Sequence, residues 1–199
     1  MVKQLQGLLN EETQMRASRV AAKPGVSTHP TRSITLHGVI ARASLWTGLA
    51  FFLNLAWEVV QVRLYTLWDT ADGLSIAWAL LHCTLGDVVI ALVMFVVAGI
   101  MLWCVDWPEL HPWPGGVIVV IGTMAYTAWS EWYNVYRAGN WAYTANMPLI
   151  FGIGLSPLLQ WLILPPVMVI AYRRLRPMLF GRHKVQSTNP THDFTRNQP

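Results

Sequence analysis

The chain has 199 residues, enough for one ordinary domain or one compact membrane bundle. Charged residues make up 12% of it, hydrophobic residues 54%, and there are eleven tryptophans; soluble globular domains carry roughly 25% charge, so soluble, disordered and collagen-like classes are set aside. The net charge of +4 does not indicate nucleic acid, because Lys and Arg are absent from Leu64 to Tyr136 and from Ala138 to Tyr172, and instead flank apolar runs.

Residues 1–37 contain no apolar core near their start, so they read as a largely flexible N-terminal tail and not as a cleaved signal peptide. Residues 38–176 contain four runs apolar enough to cross a bilayer, which needs about 20 residues. The first is 44–64, with its polar residues near the C-terminal end. The second, 74–103, exceeds one crossing and must tilt, kink near Gly86-Asp87 or begin outside the hydrocarbon. The breaker string PELHPWPGG introduces the third, 117–136, and the fourth, 148–172, is closed by Arg173, Arg174 and Arg176. Trp57, Trp68, Trp103, Trp107, Trp113, Trp129, Trp132 and Trp141 lie towards run ends, where indole favours the headgroup zone. Residues 177–199 are polar and read as a disordered tail.

Six basic residues precede the first run and six follow the last, whereas the first and third loops hold one each, Arg63 and Arg137. The positive-inside rule then puts both termini in the cytoplasm, together with the second loop and its Asp106 and Glu109. The expected fold class is all-α: an integral membrane bundle of four transmembrane helices, multi-pass in the cell inner (plasma) membrane.

In this topology the polar residues of all four spans gather in the outer half. Asn54, Glu58 and Gln61 share one helical stripe. In the second span His82 lies roughly 12 Å and Asp87 roughly 20 Å below Leu74. The third contributes Thr123, Thr127, Ser130, Glu131 and Asn134, and the fourth Gly152, Ser156, Pro157 and Gln160. Ionisable groups at such depth are costly and usually face a bundle interior or a water-filled cavity. Glu58, Asp87 and Glu131 have no Lys or Arg inside the hydrocarbon, which leaves His82, the interfacial Arg63 and Arg137, protons or a bound cation as partners. Glu58, His82 and Asp87 are the candidate catalytic residues, with Asn54, Gln61, Glu131, Asn134 and Gln160 as a binding shell. His82 and Asp87 stand about 140° apart on an ideal helix and cannot both point squarely at one small site. Asp87 could instead bond Thr123 or Gln160. The competing reading of the Asn54-Glu58-Gln61 stripe is a polar clamp between helices; that of Glu131 is a solvated group or a partner of Arg137.

The string has no Walker loop, GxSxG elbow, Rossmann glycine pattern, HxxxH, HExxH or CxxC, and Cys83 and Cys104 sit ~30 Å apart if one helix carries both. It names no metal or cofactor. The segments NLAWEVVQVRLYTLWD, LHCTLGD, SEWYNVYRAGNWAY and GLSPLLQWLILPP resemble those of small, uncharacterised bacterial inner-membrane proteins with several predicted spans. The likeness covers about 44–172 and implies a membrane fold but no activity. A sterol-isomerase-like four-helix bundle is similar in plan only, and no residue role is carried over from it. The expected function is acid–base chemistry on, or binding of, a lipid-like small molecule reaching a pocket open to the outer side. The alternatives are proton- or cation-coupled transport and a non-catalytic accessory subunit, with a homodimer or larger membrane complex as the assembly.

Overall fold

A computed structural model describes residues 36–180. The expectations for the tail before Leu36 and for 181–199 lie outside the described residues. The described chain is mostly helical, with four long helices packed in sequence. Helix α1 (Leu36–Gln61) continues through a 3-10 turn (Val62–Leu64) and a short α2 (Leu67–Thr70) into α3 (Gly73–Met101). A one-turn α4 (Trp107–Leu110) leads to α5 (Pro112–Tyr133), which ends in a π turn (Asn134–Ala138) capped by left-handed Gly139. An extended segment and a hairpin, β1 (Leu149–Ile150) with β2 (Ile153–Gly154), precede α6 (Leu155–Phe180). Helix α1 packs on α3, α3 on α5, α5 on α6 and α6 back on α1, an up-and-down ring of antiparallel neighbours.

Three of these helices, α1, α3 and α6, are long and apolar enough to cross a membrane. Helix α5 has 22 residues but falls outside that group, because Pro, Gly, Ser and Thr dilute its apolar content. Of the apolar stretches, 22% is buried in α1, 22% in α3 and 44% in α6. The first two therefore present most of their apolar surface outward, as does the row Leu81, Leu85, Val89, Val93 and Val96 of α3. Patches of this extent are foreign to soluble monomers and suit a lipid surround.

Several boundaries differ from expectation. Helix α1 begins at Leu36 and not at Ser44, so Arg42 is a helical residue. Helix α3 runs unbroken through Gly86, with Asp72 as its N-cap: the carboxylate accepts from the Ser75 backbone N–H at 2.8 Å and its hydroxyl at 3.1 Å. The fourth run starts helically at Leu155, seven residues late, because Pro148 to Gly154 turn back as the hairpin. It then carries on through the arginines to Phe180.

The core lies at the end of the ring where α1 and α5 begin and α3 and α6 finish. Trp46, Phe95, Trp107 and Tyr172 pack edge-on or tilted, with Trp46 centred 5.3 Å from Phe95 and 5.4 Å from Trp107. Trp46 Nε1 donates to the Ala91 carbonyl and Trp107 Nε1 to that of Phe95, each at 3.0 Å, so neither indole is buried unsatisfied. Trp107 is thus a core residue and not an interfacial one. Trp68, Trp103, Trp113, Trp129 and Trp132 are exposed. Gly115 completes the contact: a Cβ there would fall 1.9 Å from the Trp107 ring. At the same end Arg42 of α1 meets Asp106 at 2.5 Å, and Arg176 of α6 reaches Asp106 at 3.6 Å and Glu109. The acidic second loop, which adds nothing to the basic count, joins the first and last helices.

Candidate functional site

The opposite end, where α1 and α5 finish and α3 and α6 begin, holds a polar network inside the ring. Because Asn54, Glu58 and Gln61 recur on one stripe of α1, all three face inward and are buried. Gln160 of α6 sits opposite them, also buried, and its amide is shared. Its Nε2 donates to Asn54 Oδ1 and to Asp87 Oδ2, each at 2.8 Å, while its Oε1 accepts from Gln61 Nε2 at 3.2 Å. Gln61 Nε2 also donates to Glu58 Oε1 at 2.7 Å, and its Oε1 accepts from Ser156 Oγ at 2.9 Å and from Trp57 Nε1 at 3.1 Å. Asn54 Nδ2 returns to the Ala50 carbonyl at 2.7 Å.

Glu58 and Asp87 are joined through these amides, Gln61 donating to Glu58, Gln160 to Asp87, and Gln61 to Gln160. Two carboxyls that approach each other directly can bond only if one of them carries a proton. The salt bridges among the described residues all lie at the other end of the ring, and none offsets this pair. Of the two partners the sequence offered Asp87, Gln160 is the one used. Thr123 instead returns its hydroxyl to the carbonyls of Val119 and Val120, at 2.8 and 3.1 Å.

Glu131, buried near the end of α5, forms a second cluster with the extended cover above it. Tyr143 OH donates to Glu131 Oε2 at 2.6 Å and Tyr65 OH at 3.2 Å; Tyr143 in turn accepts from the Gly154 N–H at 3.0 Å. The Trp141 indole faces the same carboxyl without closing a hydrogen bond. Tyr65 and Tyr143 are brought together by a single antiparallel bridge, reinforced by Thr66 N–H to Ala142 and Thr144 N–H to Leu64, both at 2.9 Å. Burial pushes both phenols above their ordinary range, and neighbouring Glu131 adds to the effect, so they stay protonated donors. Arg137 does not take Glu131: its guanidinium lies 5.2 Å from the centre of the Trp132 ring, as Arg63 lies 5.1 Å from that of Trp68.

The structure therefore joins Glu58, Asp87, Asn54, Gln61 and Gln160 in one network and holds Glu131 in an adjacent one. Two expected members stand apart. His82 is exposed on the outer face of α3, because the five-residue offset from Asp87 is kept by a continuous helix. Asn134 serves the π turn, donating to Ser130 at 2.8 Å and accepting from Asn140 at 2.6 Å. Neither Tyr65 nor Tyr143 is singled out as a site residue by the sequence. Both sit in non-helical segments, where no periodicity tells which way a side chain faces. Among the described residues no three His, Cys, Asp or Glu side chains are grouped to hold a metal ion. Comparison with known proteins finds no matching family, no matching curated protein and no matching solved structure.

Proposed function

We propose that the chain crosses the cell's inner (plasma) membrane four times with both termini cytoplasmic, α5 completing the set begun by α1, α3 and α6. The Glu58–Asp87 pair is then a proton-holding site within the outer half of the bilayer. Its function is acid–base chemistry on, or binding of, a lipid-like molecule approaching from the outer leaflet. The observation that carries this is the pair of acids on different helices held by one amide network, Glu58 by Gln61 and Asp87 by Gln160, with no salt bridge to either among the described residues. Packing alone does not call for that arrangement, since hydrogen bonds between membrane helices average below about 1 kcal/mol. Glu58 and Asp87 exchange the proton in this reading, and Gln61 and Gln160 orient the carboxyls, each donating to one oxygen. Tyr143, Tyr65 and Glu131 form the polar wall at the mouth.

The test is native mass spectrometry of the purified full chain beside its Asp87→Asn and Glu58→Gln variants. A lipid retained by the parent and lost from both folded variants is the expected outcome; equal retention removes the pair from binding. One observation favours a second reading, a non-catalytic subunit or interhelical clamp: the amide groups of Gln61 and Gln160 are already engaged within the chain. Retention of no lipid together with a co-purifying larger complex would select that reading. A bound metal would point instead to cation-coupled transport.

A further inference from the structure

In the hairpin before α6, Leu149 pairs with Gly154 and Ile150 with Ile153. That register leaves Phe151 and Gly152 as a two-residue turn, and both have positive φ, 51° and 82°, the pattern of a type I′ turn. The first central position of such turns ordinarily takes Asn, Asp or Gly, because a bulky side chain is strained in the left-handed region. Phe151 accepts that strain yet packs on nothing among the described residues: it is 99% exposed, beside Leu149 at 51% and Ile150 at 43%. Three consecutive large apolar residues are exposed, Phe151 almost wholly and the other two by about half.

The tip is not a loose end. Tyr136 OH donates to the Gly152 carbonyl at 2.6 Å, Gly154 N–H to Tyr143 OH at 3.0 Å, and Leu155 N–H to the Pro148 carbonyl at 2.8 Å. Gly154 is buried beneath Tyr143 and Met147, where a Cβ would meet ring and sulfur atoms at 3.0 to 3.2 Å. A fixed base thus presents an apolar tip directly before a helix able to cross a membrane. Trp129, Trp132, Tyr133 and Tyr136 lie exposed at the same end of the ring.

We propose that Leu149–Phe151 is a membrane-interface anchor, dipping into the boundary between headgroups and acyl chains of the leaflet at this end. The inference rests on the reading that the long helices cross a bilayer. Lipid is the occupant for two reasons. Exposed aromatic side chains, Trp129, Trp132, Tyr133 and Tyr136, stand at the same end of the ring as the tip, and the segment from Ala138 to Tyr172 contains no Asp, Glu, Lys or Arg. A protein-docking patch would be rimmed by polar and charged groups. An interfacial patch of aromatic and aliphatic side chains gains from the headgroup zone directly.

The experiment uses the full chain with Cys83→Ala and Cys104→Ala, reconstituted in vesicles of phosphatidylethanolamine and phosphatidylglycerol. An environment-sensitive fluorophore is placed on Phe151→Cys, on Val93→Cys as a site facing the acyl chains, and on Asp69→Cys as an aqueous reference. The expected result at position 151 is blue-shifted emission, quenched more by lipids with a shallow nitroxide than by lipids with a deep one. Water-like emission at 151 beside apolar emission at 93 overturns the anchor. So does blue-shifted emission that nitroxide lipids fail to quench, which would mean burial against protein. Water-like emission at both 93 and 151 overturns the membrane reading and the anchor with it. In detergent, Phe151→Asn, which tolerates the left-handed turn, raises the thermal midpoint; a fall would reveal an intramolecular role for the ring and sink the proposal.

Discussion

Asp87 is the residue on which the site turns, and its consequences differ from those of a packing group. Replacing it by Asn keeps the shape and a hydrogen-bonding partner for Gln160 but removes one of the two carboxyls proposed to hold a proton between them. Asp87→Asn is expected to insert and fold, and to lose the protonated-carboxyl infrared band that Glu58 and Asp87 contribute together. An unchanged band in the folded variant would show that no proton is shared there. Gly115 is a purely steric case. Ala at this position drives a methyl into the Trp107 ring, which is itself fixed by its bond to the Phe95 carbonyl. Gly115→Ala is expected to lower stability by about 1 to 3 kcal/mol, read as a reduced thermal midpoint in detergent; an unaltered midpoint would mean that the ring yields freely. Asp72 is exposed and electrostatic in action. Its carboxyl is held below the usual value by the Ser75 backbone N–H and hydroxyl. A depressed folded pKa contributes stability above the unfolded value and loses it as pH falls through the folded one. Asp72→Ala should therefore lower the midpoint at neutral pH and leave it alike in strong acid. An equal deficit at both would assign the effect to something other than the cap.

At the scale of elements, the ionic cluster and the polar network occupy opposite ends of the same four helices. Arg42, Asp106 and Arg176 tie α1 and α6 to the loop before α5, and their side chains are largely shielded, at 11 to 14% exposure. Removing one member leaves a charge without its principal partner, on the order of 3 kcal/mol for a buried pair. A double-mutant cycle on Arg42→Met and Asp106→Asn should return a coupling clearly above zero; additive losses would make the cluster incidental. The elements also show where sequence reading succeeds. The runs at Leu74 and Ser44 match α3 and the body of α1, because unbroken apolar composition leaves helix as the one way to satisfy the backbone in lipid. The apolar run starts seven residues before α6 does, since Pro148 to Gly154 are as apolar as the helix that follows and only strand pairing distinguishes them.

For the whole molecule, the arrangement predicts an orientation. With the basic flanks inside, the described chain begins and ends at the ionic cluster, and the carboxyl network with its tyrosine cover faces out. Reporter fusions after Phe180 should be active in the cytoplasm and fusions within 138–147 outside it; the reverse pattern would turn the proposed pocket inward. The number of crossings is tested by the same fusions, with α5 as the decisive helix.

Composition, charge placement and period sufficed to find a mostly helical chain with membrane-length apolar helices, and to single out Glu58, Asp87 and Gln160. Acids in apolar runs are conspicuous because their cost is local and legible one residue at a time. Which of them meet was decided only by the packing of helices around the ring. The offset that seats Asp87 on Gln160 turns His82 outward, and a bridge between two irregular segments brings Tyr65 and Tyr143 onto Glu131. Such partnerships join residues up to 106 positions apart, as in Gln160 with Asn54. No local pattern encodes them, because they depend on the rotation and depth of each helix against its neighbours.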